Sequence, residues 1–159
     1  MKVIQPKRIK HNCVQIWKAS PEKVFPLLCP VRETDWVPDW NPKLVVSSSG
    51  IMELGCLFVT PEEQNDTIWI VTGYEPNCYV EMYEIIPEST VRKFSIMLDR
   101  EQENSTKAFI SYEYTAISEE GEKIVSNFDE ASFTEFANHF EKAINYYLTT
   151  GRMIGEIYT

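Results

Sequence analysis

Hydrophobic and polar positions change their period twice along this chain. In Arg8 to Trp17, Val14 and Ile16 alternate with polar neighbours, which is the spacing of a strand. Ser20-Pro21-Glu22-Lys23 follows, a capping serine with proline at the first helical position, and predicts a helix over Val24, Phe25, Leu27 and Leu28. Pro26 sits in its first turns and Pro30 must stop it, because proline lacks the amide that continues the helix ladder. Between Val31 and Pro42 prolines limit any helix to a turn or two while Trp36 and Trp40 supply large apolar bodies, so the segment reads as a lid or wedge.

From Lys43 to Ser118 the period becomes two. Six β-rich runs are legible: Lys43 to Ser48, Cys56 to Pro61, Thr67 to Tyr74, Val80 to Ile86, Val91 to Arg100 and Thr106 to Ser118. Turn-forming residues separate them, including Ser49-Gly50, Gln64-Asn65-Asp66, Pro76-Asn77, Pro87-Glu88-Ser89 and Glu103-Asn104-Ser105, so consecutive antiparallel hairpins are predicted. Ile110, Tyr112, Tyr114 and Ala116 share one face of the last run, and Phe94, Ile96 and Leu98 share one face of the run before it.

The period then lengthens to that of a helix. Asn127 with Glu130 three positions later resembles a capping box. Phe133, Phe136, Ala137, Phe140, Ala143, Ile144, Tyr147 and Leu148 form one apolar stripe, with Glu135, Asn138, Glu141, Lys142 and Asn145 opposite. Gly151 is placed to end the helix, and Met153, Ile154 and Ile157 could extend the packing beyond it. The expected class is therefore α+β: strand, two short helices, six strands and a long helix closing one face of the sheet.

Composition narrows the function. At 159 residues with 43% apolar content the chain suits one globular domain, residues 1–159. Its 15 Lys plus Arg against 24 Asp plus Glu leave a formal charge of −9, which repels nucleic acid and anionic membranes. The N-terminal Lys2, Lys7, Arg8 and Lys10 are too scattered to form a basic binding patch. Cys13, Cys29, Cys56 and Cys78 lack the spacing of a zinc or redox motif and read as reduced thiols. No apolar leader or membrane-length run is present, so a cytoplasmic protein without stable membrane insertion is expected.

Particular residues add to this pattern. Ile16 ahead of Ala19-Ser20-Pro21-Glu22-Lys23-Val24-Phe25, then Trp36 to Pro42, then Tyr112 to Gly121 leading into the last helix, resemble the START-like superfamily. That superfamily, also called SRPBCC, includes polyketide cyclases, lipid-transfer domains and pollen-allergen-type proteins, and the resemblance covers nearly the whole chain. It implies a helix-grip fold, a curved seven-stranded antiparallel sheet wrapped around the C-terminal helix, with a cavity between them for a small apolar molecule.

The aromatic residues that could line such a cavity are Trp36, Trp40, Phe58, Trp69, Tyr83, Phe94, Tyr112, Tyr114, Phe133, Phe136, Phe140 and Tyr147. Aromatics at these spacings also make plain core. A dry cavity of roughly 300 Å³ would cost about 7 kcal/mol, comparable to a domain's whole stability, so the interior is expected to be ligand-filled, hydrated or plugged by rings. Tyr112 and Tyr114 are candidates to orient a ligand through their hydroxyls, which could equally serve a backbone carbonyl.

Glu33, Asp35 and Asp39 are weaker candidates for acid–base chemistry, because a carboxyl beside buried rings can acquire a raised pKa; Arg32 and Glu33 could instead form a structural ion pair. His11 and His139 read as solvated or locally bonded, and no hydrolase, phosphate-loop or dinucleotide motif occurs. Neither cofactor nor metal is expected. The readings are binding of a small apolar or aromatic molecule, lipid-like or polyketide-like; a cofactor-independent cyclase or dehydratase; or a protein-interaction module using the exposed sheet face. Monomer and homodimer both remain open.

Overall fold

The computed structural model describes residues 1–62 and 65–155, so Gln64 of one expected turn and Ile157 of the expected tail packing lie outside the described residues. Strand β1 (Arg8–Trp17) leads into α1 (Pro21–Val24), a 3-10 turn (Phe25–Leu28) and α2 (Pro30–Glu33). Pro21 and Pro30 each stand in the first turn of their helix, where a missing amide costs nothing, and Pro26 does the same for the 3-10 turn. Strands β2 (Leu44–Val46), β3 (Leu57–Thr60), β4 (Thr67–Glu75), β5 (Tyr79–Ile86), β6 (Thr90–Gln102) and β7 (Ser105–Ala116) follow as antiparallel neighbours.

Together with β1 they form a seven-stranded sheet in the order β1-β7-β6-β5-β4-β3-β2. Register shifts between Val71 and Gly73 and between Arg100 and Gln102 mark bulges, the local irregularities that bend a strand and let the sheet curve. The fold is the helix-grip α+β architecture.

The C-terminal helical region departs from the expected single helix. Helix α3 (Glu119–Asn127) comes first, capped by Ser118, whose hydroxyl accepts from the Gly121 amide at 3.1 Å. Phe128, at φ −87° and ψ 63°, leaves helical geometry and breaks the chain. Helix α4 (Glu130–Thr150) then starts at Asp129, whose carboxylate accepts from the Ser132 amide at 2.9 Å, so the cap lies two residues beyond the expected Asn127. Gly151 ends α4 at φ 70°, a left-handed position that favours glycine.

The apolar stripe of α4 faces the sheet: Phe133, Ala137, Ala143 and Ile144 are buried, and Phe140, Tyr147 and Leu148 pack on the core in part, as does Ile154 beyond the helix. Its polar side is also in use. Glu141 accepts from the Ile16 amide at 2.9 Å, and Asn145 bonds both Lys18 N and Ile16 O, at 2.8 and 2.9 Å. Side chains of α4 thus satisfy the end of β1's free edge at Ile16, while Gln15 donates to the Ala137 carbonyl at 2.7 Å.

Candidate functional site

Strand register sets the site. Because antiparallel partners stand opposite one another, two rows of inward side chains cross the sheet. One runs Phe58, Trp69, Glu84, Arg92, Tyr114; the other runs Val71, Met82, Phe94, Tyr112, His11. Facing them are α2 with the loop after it, and the first half of α4. The space left between is a cavity of about 320 Å³, opening beside Asp39, Asn41 and Glu62.

Six of the twelve aromatic candidates line this cavity: Trp40, Trp69, Phe94, Tyr112, Phe136 and Phe140. Phe136, at 39% exposure, stands at the mouth. Trp40 meets Trp69 edge-on at 5.8 Å between centroids, and their indole N–H groups are already bonded, to the Pro30 carbonyl at 2.8 Å and the Thr60 hydroxyl at 3.0 Å. The rings therefore offer a guest faces and edges, with no spare donor.

The other six sit elsewhere. Trp36 is fully buried, with its N–H on the Leu27 carbonyl at 2.9 Å and its ring against Phe140. Phe58 is stacked flat behind Trp69 at 5.2 Å, and Phe133 fills the core beside Tyr112 and His11. Tyr147 packs on the core from further along α4. Tyr114 is inward but lies under Arg92 and Phe128 at the sheet's far end. Tyr83 points the other way, into a polar depression on the outer face with Lys10, Lys93 and Glu113, because the inward parity of β5 belongs to Val80, Met82 and Glu84. These placements supply core or outer surface, and none of the six contributes to the cavity wall.

Among the carboxylates, Asp35 is engaged by Arg32 at 2.7 Å on the surface, so Arg32 pairs with Asp35 and not, as the alternative had it, with Glu33. Glu33 is left without a cation and lines the cavity, as does Asp39. Burial desolvates the Glu33 carboxyl and pushes its pKa up to about 8. His11, in contrast, stacks on Phe133 at 5.0 Å and lies 2.9 Å from the Phe128 carbonyl, a structural tie at the break between α3 and α4.

The most polar part of the wall was not singled out from sequence. Glu84 and Arg92 are cross-strand partners in ion-pair contact, with side chains 8% and 13% exposed. Glu84 Oε2 and Arg92 Nε meet each other, both sealed from solvent. Burial pushes the Glu84 carboxyl up and Arg92 pulls it back. The Arg92 guanidinium also lies over the rings of Trp69, Tyr112 and Tyr114, at 5.4, 5.0 and 5.1 Å. Tyr112 senses Arg92, Glu84 and Glu33 together, and burial raises its hydroxyl far above the ordinary tyrosine range, so it stays protonated. The signal for Arg92 was present in the alternation: it precedes Phe94 by two and so shares its face.

A second depression, of about 410 Å³, lies on the outer sheet face against Val14, Tyr79, Met97 and Phe109 and has no charged residue in its wall. It is more open to solvent, and the ionisable groups in its wall are Cys13 and Tyr79, with no carboxyl.

Comparisons with known proteins agree with this architecture. No family model matches the sequence, and no curated protein matches it. Solved structures do match in shape. A protein of unknown function, SA2116 from Staphylococcus aureus, superposes with a TM-score of 0.67 at 15% identity over 92% of this chain and 98% of its own. Norcoclaurine synthase from Thalictrum flavum gives 0.64 at 12% identity, covering 94% of this chain and 98% of that one. DynU16, from the dynemicin biosynthetic locus, gives 0.60 at 14% identity over 90% of this chain and 48% of its own. The chain has the helix-grip fold of START-like, or SRPBCC, proteins. Among the described residues no helix is long and apolar enough to cross a membrane.

Proposed function

We propose that this protein binds a small, largely apolar molecule, lipid-like or polyketide-like in size, in the cavity between α4 and the sheet. The observation that carries this reading is a ring-lined space of about 320 Å³ whose inner wall presents Glu33, Glu84 and Arg92. Burying charge costs several kcal/mol per ion unless something repays it, and apolar side chains would pack such a wall more cheaply. A polar cluster within an apolar pocket is the arrangement that orients a guest. At that volume a dry cavity would cost a large share of the fold's stability, so water occupies it until a ligand displaces it. The structural likeness to a synthase and to a protein of a biosynthetic locus supports chemistry on small molecules.

The same reading keeps residues 1–159 as one domain working in the cytoplasm without cofactor or metal. It leaves nucleic acid aside, which the net charge of −9 supports. Titration with N-phenyl-1-naphthylamine, a neutral apolar fluorophore, tests it. Saturable uptake of one molecule per chain is expected, quenching Trp40 and Trp69, and Val37→Trp at the cavity wall should abolish it. Uptake unaffected by that substitution would place the apolar site elsewhere.

One observation favours a second reading, a cofactor-independent enzyme of the cyclase or dehydratase kind. A carboxyl with a pKa of about 8 holds its proton at neutral pH and can exchange it with a guest, next to the protonated Tyr112. For any substrate found, Glu33→Gln should then lower turnover by roughly 10²–10⁴-fold and remove a pH dependence centred near 8. Unchanged turnover would rule out Glu33 as the acid or base.

A further inference from the structure

The charge inventory of the cavity is lopsided. Among the described residues its wall carries four carboxylates, Glu33, Asp39, Glu62 and Glu84, against one guanidinium, Arg92. Counted as ions that is a net charge of −3, or −2 while Glu33 keeps its proton, inside a chain whose own net charge of −9 already draws cations toward it. Arg92 meets Glu84, and nothing basic meets Glu33. Glu84 Oε2 is sealed from solvent against Arg92 Nε, so Glu33 is the carboxyl of the inner wall that has no cation of its own. The remaining surface consists of aromatic rings, whose faces attract positive charge.

We propose that the cavity selects an amphipathic organic cation, a primary amine on an aromatic or alkyl body, with its ammonium held by Glu33 beside the Glu84–Arg92 pair and its apolar part against Trp69, Phe94, Phe136 and Phe140. This rests on the small-molecule reading above and specifies the ligand class for the same site. An ammonium brings three donors to the Glu33 carboxyl, which has no cation beside it, and takes the place of its proton. A carboxylate ligand would have to approach the same four acids with only an already paired Arg92 in its favour.

Proton linkage gives this ligand class a signature. Glu33 faces Asp39 on the following loop, Glu62 after β3, Glu84 on β5, Arg92 on β6 and Tyr112 on β7; α4 presents it only Phe136 and Phe140. Arg32 and Asp35 beside it are occupied with each other. Because burial without a paired cation lets Glu33 hold its proton near neutrality, an arriving ammonium should expel that proton. Affinity should then rise about tenfold per pH unit up to about 8 and level off above it.

Calorimetry on the whole chain with three probes of one shape tests the proposal: 4-phenylbutylamine, 4-phenylbutanol and 4-phenylbutanoate. The amine keeps its charge across the range, with a pKa of roughly 10. Expected is binding of the amine at least tenfold tighter than of the alcohol or the acid at pH 8. At pH 7, titrations in buffers of different ionisation enthalpy should show close to one proton released per amine bound. In Glu33→Gln both the pH slope and the proton release should vanish; the wild-type measurements decide the matter even if that variant folds poorly. Equal binding of the alcohol, or tighter binding of the acid, overturns the cation and leaves the small-molecule reading standing. Amine binding with no proton released overturns the role of Glu33. If none of the three binds, the small-molecule reading fails with it.

Discussion

Glu33 and the Glu84–Arg92 pair make opposite demands on stability. The folded-state pKa of Glu33, about 8, lies above an unfolded value of roughly 4.3, so between those values the folded chain keeps a proton that the unfolded chain has lost. The contribution of this residue therefore falls as pH rises from about 4.3 to about 8. Glu33→Gln should stabilise the protein increasingly across that window, by about 2 kcal/mol at pH 8 once cavity water is allowed for. Thermal melts of both proteins at intervals of pH check this, and a gain over wild type no larger at pH 8 than at pH 4 would contradict it. Arg92→Met, by contrast, strands the buried Glu84 carboxylate and should cost about 3–5 kcal/mol in urea unfolding. Combining it with Glu84→Leu should restore most of that loss, since packing replaces the pair; a double variant as unstable as the single would contradict the account.

Helices α3 and α4 hold the cavity's roof in place by tight local contacts. A Cβ on Gly121 would stand 2.0 Å from the Ser89 carbonyl oxygen, which is backbone and cannot swing aside. Gly121→Ala should therefore push α3 off the β5–β6 turn and cost about 2–3 kcal/mol, measured by denaturant unfolding. Along α4, replacing Glu141 and Asn145 together with alanine exposes the edge of β1 and should cost about 1–2 kcal/mol, with faster amide exchange at Ile16 and Lys18 as the specific readout. Most of these elements were legible from the sequence, because the period-two runs, the proline-started helices and the stripe from Phe133 to Leu148 each follow one physical rule. Helix α3 was not legible: its first turn is Glu119-Glu120-Gly121-Glu122, and only Gly121 and Val125 are buried, so it carries almost no apolar stripe. In the site, aromatic character outweighed parity. Tyr83 was read inward and Glu84 passed over, although the alternation from Val80 and Met82 turns the glutamate to the core and the tyrosine outward. Which rings would pack and which would leave space depends on three-dimensional offsets between α2 and α4 that no one-dimensional period encodes.

At the scale of the whole molecule, the helix-grip arrangement encloses one ring-lined cavity whose mouth bears Asp39 and Glu62, in a chain of net charge −9. Exposed charges at such a mouth act at a distance only within the Debye length, about 8 Å at physiological salt, so cation uptake should slow as salt is added. The sheet's second edge, β2, is only three residues long, and α4 covers the first at Ile16, which together limit pairing with other chains. The claim on which the rest depends is that the cavity holds a small molecule. Native mass spectrometry of the wild-type protein and of Val37→Trp, both purified under gentle conditions from the source cell, tests it most directly. The account expects a bound mass of a few hundred daltons at most on the wild type, released by collisional activation, and none on the variant; identical bare masses for both proteins, together with no uptake of any added apolar molecule, would contradict it.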